Sequence, residues 1–225
     1  MLLVAAAAPI GGIFLFAANL PKTVAIGGEP TGQSLTLEDF ESYSAGAFPE
    51  KWRMAKSDAR KIYKVETETG NRFLRARSEK QGIQIALEHV FEPRQQRNLS
   101  WRWRAREFPT GADERIGDKH DTAAQVYVIF DNQILSRIIK YMWSGLVPAG
   151  ARFSHPLYSR ARVVIVRSGV PETGKWFEER VNLYEDYKQF FNAEPGKVQG
   201  IALMSSSDST ESVAGADYDD FVLLP

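Results

Sequence analysis

Three groups of residues in this chain have the types and spacing to do chemistry. The first is the run Leu99 to Glu107, where Leu99, Trp101, Trp103 and Ala105 alternate with Arg102, Arg104 and Arg106. A period of two puts the tryptophans on one face of a strand and the arginines on the other. With the tryptophans in a core, the arginines face acids on neighbouring strands, or form a cationic stripe that holds carboxylates or phosphates by paired hydrogen bonds. With the tryptophans exposed, their rings could stack on sugars.

The second group is Asp118, His120 and Asp121, ahead of a continuous apolar run, with Asp208 and Thr210 in the serine-rich stretch Ser205 to Ser212. Oxygen and nitrogen donors spaced this closely can bind a hard cation or a polar ligand. Carboxylates and an imidazole could also move protons if they converge in one pocket. Solvated turns fit the same residues. The third group is acidic: Glu38, Asp39 and Glu41 near the start of the domain, and Asp217, Asp219 and Asp220 near its end. If the first and last strands pair, the two clusters meet. A structural Ca²⁺ or basic neighbours would then relieve the repulsion. No other cofactor is required.

Much other chemistry is excluded. Cysteine is absent, which removes disulfides, thiolate metal sites and Cys nucleophiles. Gly169 to Lys175 spells G-x-x-x-x-G-K, but Trp176 stands where a phosphate-binding loop needs Ser or Thr. No nucleophile elbow or zinc-protease motif occurs. Glu178 and Glu179 are adjacent in a strand, so they point to opposite faces and cannot form a glycosidase pair. His155 precedes Pro156 in a loop and carries no further signal.

The elements that must position these residues are strands. Ile62 to Thr69 and Arg72 to Ser78 read as a hairpin turning at Gly70-Asn71. Ile83, Ile85 and Leu87 alternate with polar residues. Ala124 to Asp131, Ala161 to Ser168 and Val198 to Met204 are continuous apolar runs, as for strands covered on both faces. Ala216 to Leu224 closes the chain. Tyr184, Tyr187, Lys188 and Phe191 fall at helical spacing, so Leu183 to Asn192 reads as one short helix. The pattern is an all-β, two-sheet sandwich of jelly-roll type with one short helix.

The N-terminus differs in kind. Met1 to Leu20 carries no charged side chain and is long enough to cross a bilayer. It reads as a retained transmembrane anchor, or as a signal segment cleaved near Thr23-Val24-Ala25. Residues 1–25 form this segment, 26–34 a Gly- and Pro-containing linker, and 35–225 the sandwich domain. The 28 basic and 28 acidic residues cancel, so no nucleic-acid partner is expected.

Four blocks together carry a family resemblance. They are Gly117-Asp118 with Ala124 to Asp131; Tyr141-Met142-Trp143-Ser144; Arg167-Ser168-Gly169 with Trp176, Glu178-Glu179-Arg180 and Glu185-Asp186-Tyr187; and Gly200 to Met204 with Asp208 and Thr210. In combination they resemble the bacterial domain of unknown function 3047 family over roughly Leu35 to Leu223. The resemblance implies an exported protein with a sandwich-like β fold and supplies no activity. The last block departs from the family's Asp-x-Asp-Asn-Thr-like run and reads Asp208-Ser209-Thr210.

The expected function is that of a non-catalytic, extracytoplasmic binding or accessory domain, tethered by residues 1–20 to the periplasmic face of a bacterial inner membrane. Its expected partner is a protein at the membrane surface, as an interaction subunit of a membrane complex. An envelope glycan held by a carbohydrate-binding sandwich, and a glycan- or ester-acting hydrolase, are the alternatives. After signal cleavage the domain would be secreted.

Overall fold

A computed structural model describes residues 32–130, 136–170 and 174–225. The proposed membrane segment at residues 1–25 lies outside the described residues, and among those described no helix is long and apolar enough to cross a membrane. The chain forms β1 (Leu35–Glu38), β2 (Arg53–Met54), α1 (Ala59–Ile62), β3 (Tyr63–Glu68), β4 (Asn71–Glu79), β5 (Ile85–Phe91) and β6 (Asn98–Glu107). It continues through β7 (Thr122–Phe130), β8 (Arg137–Ser144), β9 (Arg152–Ser154), β10 (Ala161–Ser168), β11 (Phe177–Asn182), α2 (Leu183–Phe191), β12 (Val198–Ser206) and β13 (Val213–Leu224).

These strands make the expected two-sheet sandwich. The first sheet has the order β11-β6-β13-β4-β3, with β1 also paired to β13. The second has the order β2-β5-β12-β7-β8-β10-β9. Between them, Trp101 and Trp103 are fully buried and meet Tyr141 and Trp143 of the facing sheet at ring distances of 5.9 and 5.7 Å. The alternation in β6 therefore resolves with the tryptophans inward. The β3–β4 hairpin turns on Thr69 and Gly70, both at positive φ (51° and 85°), the pairing a two-residue primed turn requires.

Helix α2 forms where the spacing placed it. Asn182 caps it by accepting from the N–H of Glu185 at 2.9 Å, and Asn192 ends it in the left-handed region. One pairing departs from a fully antiparallel jelly roll: β8 and β10 are parallel. The three-residue β9 reverses the chain at the sheet edge, and loop 155–160 returns it so that β10 enters between β9 and β8. That return loop carries His155 onto the outer face of the second sheet.

Gly200 lies in the middle of this sheet, where β12 runs between β5 and β7. A Cβ there would sit 2.2 Å from the carbonyl oxygen of Leu87 on β5. Two central strands would have to separate to admit it. Gly200→Ala is therefore expected to destabilise the domain by about 2 kcal/mol or more, read as a lower urea midpoint at unchanged slope.

Candidate functional site

The arginine stripe of β6 lies on the outer face of the first sheet and meets acids on neighbouring strands. Arg104 donates to Asp217 (Nε to Oδ2, 2.6 Å) and to Glu68 (2.7 Å), and Arg106 donates to Asp217 at 2.8 Å. Arg75 of β4 adds bonds of 2.8 and 3.3 Å to the same carboxylate. Arg102 pairs with Asp220 at 2.9 Å. Trp176 closes over this network, 4.5 Å from the Arg104 guanidinium and 5.5 Å from the Phe73 ring. Arg104 and Phe73 are consequently almost fully buried outside the main core.

The strands that carry the two acidic clusters do pair, Leu35 and Thr36 lying opposite Leu223 and Val222. Each carboxylate finds a protein donor. Glu38 accepts from the Phe40 N–H, the Tyr43 hydroxyl and the Trp52 indole at 3.0, 2.7 and 3.2 Å. Asp39 accepts from the Glu41 N–H, and Glu41 from the Arg72 N–H. Asp219 accepts from Asn71 at 2.9 Å, and burial pushes its carboxyl up to about 6. Among the described residues no three His, Asp or Glu side chains are grouped to hold a metal.

The second sheet's outer face carries a different arrangement. The loop before β7 and the loop after β12 are pulled together by Asp121, which is fully buried. Its Oδ2 accepts from the N–H and the hydroxyl of Thr210 at 2.7 and 2.8 Å. Asp208 turns toward Asp121 and reaches solvent on its other side. Partial burial first, and the Asp121 charge second, raise the Asp208 carboxyl above its ordinary range. Its Oδ1 rests where a Cβ on Gly82 would come within 2.5 Å, so glycine at 82 makes room for it. His120 donates from Nδ1 to the Gly117 carbonyl at 2.7 Å, with Ser209 Oγ 3.3 Å from the same nitrogen. Asp118 is exposed on the same loop and takes no part in these bonds.

Four further residues complete the cluster. His155 is buried with its ring 5.4 Å from that of His120. Burial, then the charges of Lys140 and His120, drive its imidazole down to about 2, so it stays neutral. Lys140 projects from β8 beneath it, 4 % exposed, with its ammonium 4.8 Å from the Tyr127 ring. Burial lowers that ammonium to about 7, opposed by the charge of Glu114. Glu114 is itself buried, held by Thr122 and Ser144 hydroxyls at 2.9 and 2.7 Å.

Of the residues singled out from sequence, the structure brings His120, Asp121, Asp208 and Thr210 into one cluster and sets the arginines and terminal acids on the other sheet. Sequence reasoning passed over Lys140, His155, Tyr127 and Glu114. A lone lysine between Ile138 and Met142 in alternate register was the available signal, since it places a cation on an otherwise apolar face.

No curated protein sequence matches the chain. Among solved structures it is similar to the glycoside hydrolase domain of Endo-D from Streptococcus pneumoniae R6, at 10% identity and a TM-score of 0.37, covering 77% of this chain. The match spans only 21% of that chain. It is also similar to a family 30 carbohydrate-binding module of a Clostridium thermocellum cellulosomal cellulase, at 12% identity and a TM-score of 0.43 over 84% of this chain and 96% of that one. A carbohydrate-binding module specific for non-crystalline cellulose matches at 8% identity and a TM-score of 0.42 over 88% and 98% of the two chains. At the level of sequence, one family pattern covers residues 50–222, most of the sandwich with the arginine network and the His120–Asp208 loops, and the chain belongs to that family, described as protein of unknown function (DUF3047).

Proposed function

We propose that this chain is a non-catalytic accessory domain, held at the outer face of a bacterial inner membrane by residues 1–20, that binds a hydroxyl-rich envelope ligand. The observation that carries the reading is the clamp of Asp121 on Thr210. It holds the solvent-facing Asp208 carboxyl and the His120–Ser209 pair in a preformed set of donors and acceptors. Preformed polar groups on paired loops suit ligands that offer many hydroxyls, because little ordering entropy is lost on binding. The charge-free apolar run at the N-terminus supports the tether.

The test is calorimetric titration of the full chain in mild detergent with purified envelope glycans. Binding in the micromolar to millimolar range is expected, weakened at least tenfold in Asp208→Asn and His120→Ala, about 1.4 kcal/mol or more. Absence of binding to every glycan, or equal binding by both variants, overturns the reading.

A second reading, a glycan- or ester-acting hydrolase, rests on the raised Asp208 carboxyl beside Asp121, an arrangement that suits a general acid. Turnover of a glycoside or ester that Asp208→Asn abolishes would favour it over the first.

A further inference from the structure

A cavity of about 330 Å³ opens at the end of the sandwich where β6 and β8 leave their sheets. Phe108 and the turn after it form one wall, Leu146 and Val170 the rim, and Glu114 and Thr122 the floor. Leu146 and Val170 are 61% and 71% exposed, the two most exposed large apolar side chains among the described residues, whereas Glu114 is 2% exposed. The cavity is thus apolar at its mouth and acidic at its base. Gly145 helps set its shape: a Cβ there would come 3.1 Å from the Phe108 ring, which packs edge-on against Trp143 at 6.2 Å. The volume lies at the lower end of the range that small-molecule sites occupy, about 300–1,000 Å³.

Glu114 is short of donors. Ser144 donates to its Oε2 at 2.7 Å, and the Leu146 and Val147 N–H groups orient that hydroxyl by donating to it. Thr122 has one hydroxyl hydrogen to share between two acceptors at 2.9 Å, Glu114 Oε1 and the Trp143 carbonyl. A carboxylate offers about four acceptor positions, so about two stay open. Its charge is also unpaired. Arg115 and Lys140 feel that charge, but Asp113 holds the Arg115 guanidinium by bonds of 2.8 and 2.7 Å. Among the described residues no cation forms an ion pair with Glu114. A buried carboxylate without a counter-charge is costly, and a bound cation relieves the cost.

We infer that this cavity binds a small organic ammonium with an apolar body, the ammonium donating to Glu114 and the body lying between Phe108, Leu146 and Val170. The three hydrogens of a primary ammonium match the open acceptor positions of the carboxylate. A neutral guest would leave that carboxylate unpaired, and an anionic one would be repelled by it. The ligand differs from that of the Asp208 loops, and an amine titration contains no glycan, so either reading can fail without the other.

The experiment titrates n-butylammonium chloride into the full chain in mild detergent at neutral pH, followed by saturation-transfer NMR. n-Butanol and butanoate serve as the neutral and anionic counterparts. The amine is expected to bind with a Kd of about 1 mM, ordinary for a ligand of so few atoms, and at least about tenfold tighter than the alcohol. Butanoate is expected not to bind. Glu114→Gln, its fold checked by near-ultraviolet circular dichroism, should bring the amine down to the affinity of the alcohol. Leu146→Lys changes an exposed rim position and so spares the fold. Its added charge should weaken the amine at least about threefold more than the alcohol. No binding of the amine at about 10 mM overturns the inference. So does equal binding of amine and alcohol by the parent protein, an unchanged amine preference in folded Glu114→Gln, or an equal effect of Leu146→Lys on the two guests.

Discussion

Asp217→Asn is expected to lower the stability of the domain by about 3–5 kcal/mol, among the largest effects of any single conservative change in this chain. The carboxylate is fully buried and receives bonds from Arg75, Arg104 and Arg106. Asparagine keeps the shape but removes the charge, and its amide hydrogens would face guanidinium hydrogens. Arg75 and Arg106 are 37% and 30% exposed and can turn to water. Arg104, at 3%, cannot, because Trp176 and Phe73 cover it. The loss is therefore dominated by Arg104, which keeps Glu68 at its edge but loses the buried carboxylate on its Nε side. Arg75→Gln, which leaves Asp217 two partners, is expected to cost less than about 1 kcal/mol. Urea midpoints for the two variants test this. If both fall by the same amount, Arg104 is not the seat of the effect.

The second large effect has the opposite sign. Lys140→Met is expected to stabilise the domain by about 2–4 kcal/mol at pH 6, because a thioether of similar length fills the site without a buried charge. The benefit depends on pH in a defined way. In the folded state the ammonium titrates near 7, against 10.5 when unfolded. Below 7 both states carry the proton, and the folded state bears the full penalty. Between about 7 and 10 the unfolded chain binds more protons, so the parent protein gains stability as pH rises. The advantage of Lys140→Met should shrink to less than about 1 kcal/mol by pH 10. Above that, burial of Tyr63, Tyr141 and Tyr218 reverses the slope, since their hydroxyls resist ionisation only when folded. Thermal unfolding of both proteins from pH 6 to 10 checks the prediction. A constant gap between them would sink it.

These two residues also show what could be read from the chain and what could not. The face of each side chain in β6 follows from alternation, so the burial of Trp101 and Trp103 and the outward set of Arg102, Arg104 and Arg106 were legible. So were α2, which has both spacing and an asparagine cap, and the pairing of the chain's first and last strands. The three residues of β9 and the single turn of α1 were not, because elements that short are held by tertiary contacts and have too few residues to show a period. Ser205 to Ser207 illustrates a subtler obstacle. Their composition suggests a solvated loop, yet Ser205 and Ser206 continue β12 and all three are buried. Their hydroxyls bond to Ala123, Gln125 and Ser78, partners distant in the chain. Burial of a hydroxyl depends on such partners, and local sequence does not encode them. The same holds for His155, which loop 155–160 places against His120 by way of the parallel β8–β10 crossing.

The position of β13 bears on how the molecule comes to be. This strand lies at the centre of the first sheet, yet in synthesis it follows every strand it joins. Until Leu224 has cleared the ribosome, β3–β4 and β6–β11 can exist only as two separate half-sheets with open edges. More than a hundred residues separate Ala76 of β4 from its partner Ala216. At about 5–20 residues per second, that interval is on the order of ten seconds. A nascent chain would spend it with unpaired edges and uncovered tryptophans, in the state that invites wrong pairing and recruits chaperones. Closure of the first sheet is thus a late event, and removing β13 would leave that sheet in two halves in place of a slightly smaller one.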